Sequence, residues 1–505
     1  MKTATNTAAK TLFSTALFAF LLSASARLAT ASEVNGLGWE GDLQVKLNQM
    51  GSRLTASLKP WDMPNKVFRV DDFGAVGDGR SINTRAINRA IEACSEQGGG
   101  VVLFSKGDYV TGTIDLKSGV MVEVAARSRI LGSTSLADYP DRAAKRRTVM
   151  DSNMDMRQSL IYAEGCERIG IRGAGEINGR GTLENFPGKE TSGKTPGRPF
   201  LMRIIDCKTI VIDSITLKDS ACWMQNYLNC EDLILQNVTV DNQANSNNDG
   251  IDIDGCRNVI VRHCSINSED DGLCFKGASM RPMENVLVEN SRFYSTCNAL
   301  KFGTDSQGDF RNVLVRDVEV GGPALNQRAL KRRRATSGIS WEIVDGGTLE
   351  NVLVDGVNIV RSDSPIFLRL GNRGRTLPEM PKPTPGNLRR VVLQNITGED
   401  NGSRGSIFTG IPSARIQDVI VRNMKLSMAG GGKVMPAGTT MPEKQSTYPD
   451  AKMFGKEVPA YGFWVRHASG VEFIDVRITP LKPDPRPCFL SGGDTENLTV
   501  DGKPL

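Results

Sequence analysis

The stretch NSNNDGIDIDGCRNVIVRHCSINSEDDGLCFKG, residues 245–277, carries five aspartates, Asp249, Asp252, Asp254, Asp270 and Asp271, among short β-branched runs. Carboxyl groups clustered in this way can divide labour: a neighbour's charge strengthens one member's hold on its proton while another stays ionised. Hydrolysis of a sugar linkage with inversion needs that pairing, one carboxyl to protonate the leaving oxygen and one carboxylate to activate water. The same residue types fill tight turns, where they bond their own backbone, and Asp252 and Asp254, alternating inside IDIDG, are read that way. Carboxylates also bind hard cations such as calcium, but nothing in this spacing favours one, and no metal is expected.

The elements that must position these acids repeat. Cys207, Cys230 and Cys256 open the segments CKTIVIDSITL, CEDLILQNVTV and CRNVIVRHCSI. The pattern goes on without cysteine as MENVLVENSRF from Met283, FRNVLVRDVEV from Phe310, LENVLVDGVNI from Leu349, LRRVVLQNITG from Leu388 and IQDVIVRNMKL from Ile416. Openings at 207, 230, 256, 283 and 310 follow one another at about the length of one solenoid coil. Their period-two alternation suits short strands with one face inward, and stacked units give a parallel β-helix. A β-sandwich would not repeat one apolar, Asn-Val, apolar register through so many segments. Cysteine is then one of several apolar residues at a shared buried position. Asp249 and the Asp270/Asp271 pair fall about one coil apart, and strands stacked at ~4.8 Å let such side chains reach the roughly 6.5–9.5 Å span of an inverting pair.

Ahead of the repeats, FRVDDFGAVGDGRSINTRAINRAIEAC runs from a strand through a Gly-rich turn into a helix with Ala86, Ile87, Ala90, Ile91 and Cys94 on one face. That helix is placed to cap the open end of the stack, whose terminal strand and apolar interior need cover. Further upstream, Lys2 and Lys10 precede the apolar run LFSTALFAFLLSASA, and ATA at residues 29–31 offers small residues for cleavage. Residues 1–31 are read as a secretory signal, because the run falls short of the ~20 apolar residues of a membrane span. Residues 32–66 are read as an N-terminal extension and 67–505 as the catalytic β-helix, secreted to an extracellular or periplasmic space. Of 505 residues, 39% are hydrophobic and 24% charged, enough apolar material for a large core, which excludes a disordered chain. A net charge of +5 spread over the chain is too weak to mark nucleic acid as a partner and suits an acidic polymer. A monomer is expected, with no membrane insertion after signal cleavage.

FGAVGDG with its following T, AI, AI, C and GGGVV, the later GAGEINGRG at residues 173–181, and the NNDG and EDDG pair together resemble glycoside hydrolase family 28, the polygalacturonase-like enzymes. The likeness runs from about Val67 onward. It implies an all-β, right-handed parallel β-helix and an inverting hydrolase of pectin-type polysaccharide or oligosaccharide that uses no organic cofactor. Carried onto this chain, the family's working acids are Asp249, Asp270 and Asp271, with Asp270 as general acid and Asp249 with Asp271 as the base pair.

The departures are as informative. Where the family has G-H-G, this chain reads CNAL and places Asn298 at the histidine position; the two histidines present, His263 and His467, are assigned to ordinary coils. Where the family has R-I-K, SGISWEIVDGG supplies Ser340, Trp341 and Glu342, so the paired cations that hold a galacturonate carboxylate are missing. Lys276, Lys301, Arg369, Arg373 and Arg375 are candidate replacements, with Asn298, for contact with substrate. Two enlarged connections, residues 322–338 with its KRRR and residues 428–459, stand out as carriers of specificity, and one that walled off the groove would favour trimming of chain ends. Three other readings stay open: a relative cutting a non-uronic linkage such as rhamnosyl, a β-helix polysaccharide lyase, and a non-catalytic carbohydrate-binding relative.

Overall fold

The computed structural model describes residues 38–142, 145, 148–152, 157–187, 197–323, 333–436, 438–492 and 494–505. The signal segment assigned to residues 1–31 and the Lys331–Arg332 half of KRRR lie outside the described residues.

Almost every strand pairing is parallel, in a sheet of 23 strands and a second sheet of 12. In the second sheet the neighbours follow chain order from Ile114–Asp115 to Phe489–Ser491, so each coil adds one rung. This is the parallel β-helix that the repeat predicts. The repeat's cysteines, Cys207, Cys230 and Cys256, are buried and free, stacked so that the Cys230 amide donates to Cys256 Sγ at 3.2 Å.

The recurrent Asn of the repeat has a physical cause. Asn258, Asn285, Asn312 and Asn351 all adopt positive φ, between 55° and 60°, a conformation that asparagine tolerates better than most residues. Their amides stack into a ladder, Asn285 donating to Asn258 at 3.2 Å, Asn312 to Asn285 and Asn351 to Asn312 at 3.4 Å. His263, φ 53°, sits at the next corner of its coil with Asn237, Asn290 and Asp317 at the matching turns of neighbouring coils, an ordinary position as expected.

Helix α1 (Trp39–Ser57) and helix α2 (Thr84–Glu96) occupy the N-terminal part. Ala86, Ile87, Ala90, Ile91 and Cys94 of α2 are buried in the main core, which fits a cap on the first coils. Within the extension read from sequence, residues 44–63 act as a strap. Gln44 accepts from Arg422 at 3.2 Å, Gly51 lies against Leu287 and Leu314, and Leu58, Trp61 and Met63 pack on Met121, Val211 and Ile234. Residues 44–63 therefore cover apolar side chains that point outward from the long sheet over many coils.

Five strands of the second sheet carry the acids' surroundings: β1 (Ile251–Asp254), β2 (Leu273–Lys276), β3 (Asn298–Phe302), β4 (Ala335–Ile343) and β5 (Ser362–Leu370). Successive side chains alternate faces. Leu273, Phe275, Leu300, Phe302, Ile339 and Trp341 fill the core. The residues between them point out, and the register puts Asp252 beside Cys274, Lys301 beside Cys274 and Ser340, and Glu342 beside Arg369.

Candidate active site

Asp249 ends the turn before β1, and Asp270 and Asp271 end the turn before β2. Backbone bonds tie the two turns, with Gly250 N donating to Asp271 O at 2.8 Å and Met224 N to Asp249 O at 3.0 Å. Both turns deliver their acids to one edge of the second sheet. Asp249 and Asp271 are buried, while Asp270 is half-buried and the most open of the three.

Asp271 is gripped. Asn298 Nδ2 donates to its Oδ1 at 2.9 Å and Lys301 Nζ to its Oδ2 at 2.9 Å. Burial pushes its carboxyl up, but Lys301 and Lys276 together with those two bonds outweigh it and hold Asp271 below the usual carboxylate range. Asp270 responds the other way: burial, then the charge of Asp271, raises it, with Lys301 only partly opposing. Asn247 Nδ2 donates to it at 3.4 Å, and a side-chain bond with Cys297 also opposes the rise. Asp249 is pushed well up by burial and then by Asp252 and Asp270, against the pull of Lys276. One carboxyl is held below the usual range next to others held above it, a contrast set by which of them the two lysines reach.

Ligand atoms of Asp270, Asp271 and Cys297 lie within 4.8 Å of one another, so the roughly 6.5–9.5 Å span of an inverting acid and base is left to Asp249, one coil away, the pairing that the sequence spacing puts forward. One detail differs from the sequence reading: Asp252 is not a turn-filling acid. It points out of β1 into the cluster, 3.3 Å from Lys276 Nζ, and burial pushes it up to about 7 against the pull of that lysine.

Asp254 does serve a turn, accepting from Ser279 N at 3.0 Å, and burial raises it to about 6 despite that bond. Its folded value lies above the ordinary 3.8. Its contribution to stability is thus complete below that ordinary value and lost as the pH rises through about 6. Asp254→Asn should flatten the fall in melting temperature between those two points; an unchanged slope in melts taken across the window would contradict the assignment.

The candidate cations are distributed unevenly. Lys276 is buried, paired with Asp252, and its ammonium lies 4.4 Å from the centre of the Trp223 ring. Lys301 is buried between Asp271 and Glu342, the latter at 3.6 Å. Arg369 and Arg373 do not join the acids. Arg369 donates to the carbonyls of Gly410, Glu443 and Lys444 at 2.8–3.1 Å, and Arg373 is spent on Asp345, Asp305 and Thr304. Arg375, more exposed, approaches Asp305 at 3.6 Å. His467 lies away from the acids, between Glu443 and Asp494.

Arg369 explains what the long connection after residue 428 does. Together with Arg466, which donates to the carbonyls of Met441 and Pro442, and Arg404, which donates to that of Gly455, it fastens this connection onto the outer face of the second sheet. Met441, Ala451, Phe454 and Val458 pack there on Phe367, Ile407 and Trp464. The connection then brings Tyr448 over the site, its ring centre 5.9 Å from both Lys301 Nζ and the Arg373 guanidinium. The Tyr448 hydroxyl feels Lys301 first, then desolvation and the carboxylates of Glu342, Asp271 and Asp270, and its proton is held above the usual tyrosine range. Half of Tyr448 remains exposed, so its ring is free to meet a sugar. Neither Tyr448 nor Glu342 was a candidate acid or contact by sequence; STYPD in a Gly/Pro/Met-rich loop was the one available hint for the first.

A family model described as glycosyl hydrolases family 28 matches residues 94–447. A probable polygalacturonase of Vitis vinifera is 26% identical over 398 residues, 72% of this chain and 75% of that protein. The exo-poly-alpha-D-galacturonosidase of Dickeya chrysanthemi is 22% identical over 418 residues, 72% of this chain and 67% of that one. Among solved structures, the hyperthermoactive exopolygalacturonase of Thermotoga maritima superposes with a TM-score of 0.66 at 18% identity, covering 86% of this chain and 96% of the other. The Yersinia enterocolitica family 28 exopolygalacturonase does so at 0.65 and 19%, covering 88% and 79%. At those identities the structural likeness speaks for the fold, a right-handed parallel β-helix. With the family model spanning most of the chain, the protein belongs to glycosyl hydrolases family 28 and is a polygalacturonase-like glycoside hydrolase.

Proposed function

We propose that this hydrolase is secreted and cleaves a pectin-type or related acidic polysaccharide with inversion, working from a chain end. The observation that carries the mechanism is the contrast inside the acid cluster: Lys301 and Asn298 bond Asp271 and hold its carboxyl below the usual range, while burial and the charge of Asp271 raise that of Asp270 beside it. Asp270 donates a proton to the leaving oxygen. Asp249, across the wider gap on the neighbouring coil, and Asp271 together activate the attacking water. Asn298, occupying the histidine position of the family pattern, serves Asp271 directly.

Work from an end is supported by the connection carrying Tyr448, which covers the outer face of the sheet on the side of the acids towards the C-terminus. The relatives from Dickeya and Thermotoga are themselves named as exo-acting. Secretion rests on the charged, apolar and small-residue order of residues 1–31, and no helix among the described residues is long and apolar enough to cross a membrane. A monomer working on polysaccharide, without nucleic acid, metal or organic cofactor, completes the reading.

Proton NMR of the first-formed product tests it. The expected result is the inverted anomer, with monosaccharide or another short unit released before the polymer's viscosity falls. A retained anomer at early time would remove the water-activating role from Asp271 and Asp249, and an early collapse of viscosity would remove the chain-end mode.

A further inference from the structure

Two cations, Lys276 and Lys301, act on the five carboxyls of Asp249, Asp252, Asp270, Asp271 and Glu342. Each lysine is at least nine-tenths buried. Lys276 has Asp252 on one side and the face of Trp223 on the other. Lys301 is closed in by Asp271 at 2.9 Å, Glu342 at 3.6 Å and the Tyr448 ring. Glu342 is itself fully buried, and its Oε1 accepts from Ser340 at 2.7 Å, which fixes its carboxyl on the Lys301 side of β4. Arg369 and Arg373 are consumed by the connection and by Asp345.

A carboxylate brought by a sugar to this place would meet resident carboxylates before it met a cation. Like charges a few ångströms apart and partly desolvated repel strongly, and resident carboxylates already bond the lysine. A hydroxymethyl, methyl or ester group carries no such penalty and can rest against the Tyr448 ring.

Resting on the hydrolase reading above, we propose that the sugar held beside Asp270 and Lys301 is uncharged at its C6 position, a neutral hexose, a deoxyhexose or an esterified uronate, and that Glu342 is the residue that turns a free uronate away. The polymer beyond this position can still be acidic. Glu342 acts on the substrate's charge through space and through its claim on Lys301, so it is a specificity-determining residue of the known reaction. Burial pushes Glu342 up to about 7, so its exclusion of a carboxylate is strongest above that value. The groups facing it are Lys301, Asp271, Ser340, Tyr448, Arg369 beside it on β5 with its guanidinium turned to the connection, and, from the connection, Asp450.

The test uses one matched pair, short galacturonide oligomers as free acids and as their methyl esters, offered to the full chain above the Glu342 value. The expected result is that kcat/KM for the ester exceeds that for the free acid by about tenfold or more, one pKa unit's worth of discrimination, and that Glu342→Gln, which keeps shape and the Ser340 bond, narrows the ratio by a similar factor. Equal rates, or faster cleavage of the free acid, would overturn the proposal. The same pair is titrated into the Asp270→Asn variant, with a rhamnosyl- and a galactosyl-ended oligosaccharide beside it, so that binding is read where turnover is slow. Tighter binding of the neutral ends supports the proposal; tighter binding of the free uronate, or binding of none of the four, sinks it. Failure of the parent reading looks different: neutral ends still bind, yet no pectic polymer, esterified or not, is cleaved.

Discussion

Asp270→Asn is expected to lower turnover by at least ~10²-fold, the ordinary worth of a positioned acid, while leaving substrate binding within about twofold. The replacement keeps the volume of the side chain and can accept the same bonds, and only the transferable proton is lost. Two further outcomes separate an acid from a merely structural carboxyl. An aryl glycoside, whose leaving group departs without protonation, should lose far less than the polymer does. The alkaline limb of the pH profile should also vanish, because that limb reports Asp270 losing a proton that burial and Asp271 help it hold above the ordinary range. The acidic limb should remain, since it belongs to Asp271, held below that range. Equal losses on aryl and natural substrates would transfer the proton-donating role to another group, with Asp249, whose carboxyl burial also raises, first in line.

What the sequence made legible here follows the periodicity of the fold. A solenoid repeats one register, so the strands, the buried cysteines, the asparagine ladder and the capping helix could all be read from patterns within one or two coils. Asp249, Asp270 and Asp271 stood out for a different reason, as clustered acids at the positions the family resemblance points to. The charges that surround them were not legible. Lys276 and Lys301 were candidates for gripping substrate, and the lateral register instead turns them onto Asp252, Asp271 and Glu342. Arg369 and Arg373 were candidates for the same task and instead hold a loop and Asp345. Which of two outward-pointing residues meets a partner depends on the neighbouring coil some 25 to 40 residues away, as the spacing of Lys301 from Asp271 and Glu342 illustrates, and no local pattern encodes it. Tyr448 is the extreme case, brought to the site by a connection whose course is set by three arginines and an apolar patch.

The Lys301 ammonium is the second group whose loss should be severe, and for two separable reasons. Removing one partner of a buried ion pair leaves uncompensated charge, a cost of about 3–5 kcal/mol, and here Lys301→Met strands both Asp271 and Glu342. The stability loss should therefore be shared: Lys301→Met with Glu342→Gln should recover a large part of the melting temperature, because one of the two stranded carboxyls is gone. Activity should not return with it. Without the cation, the burial that already pushes Asp271 up is opposed only by Lys276 and Asn298, so its carboxyl takes a proton and can no longer accept one from water. The sign is fixed by that: a base with a raised pKa ionises later, so whatever turnover survives should show its acidic limb moved to higher pH, with kcat down by about 10²-fold and KM for a neutral-ended substrate little changed. Thermal melts of the single and double variants, set beside their pH profiles, check both parts. A double variant that regains turnover along with stability would mean that Lys301 only supports the fold, and that Asp271 does not depend on it for its charge.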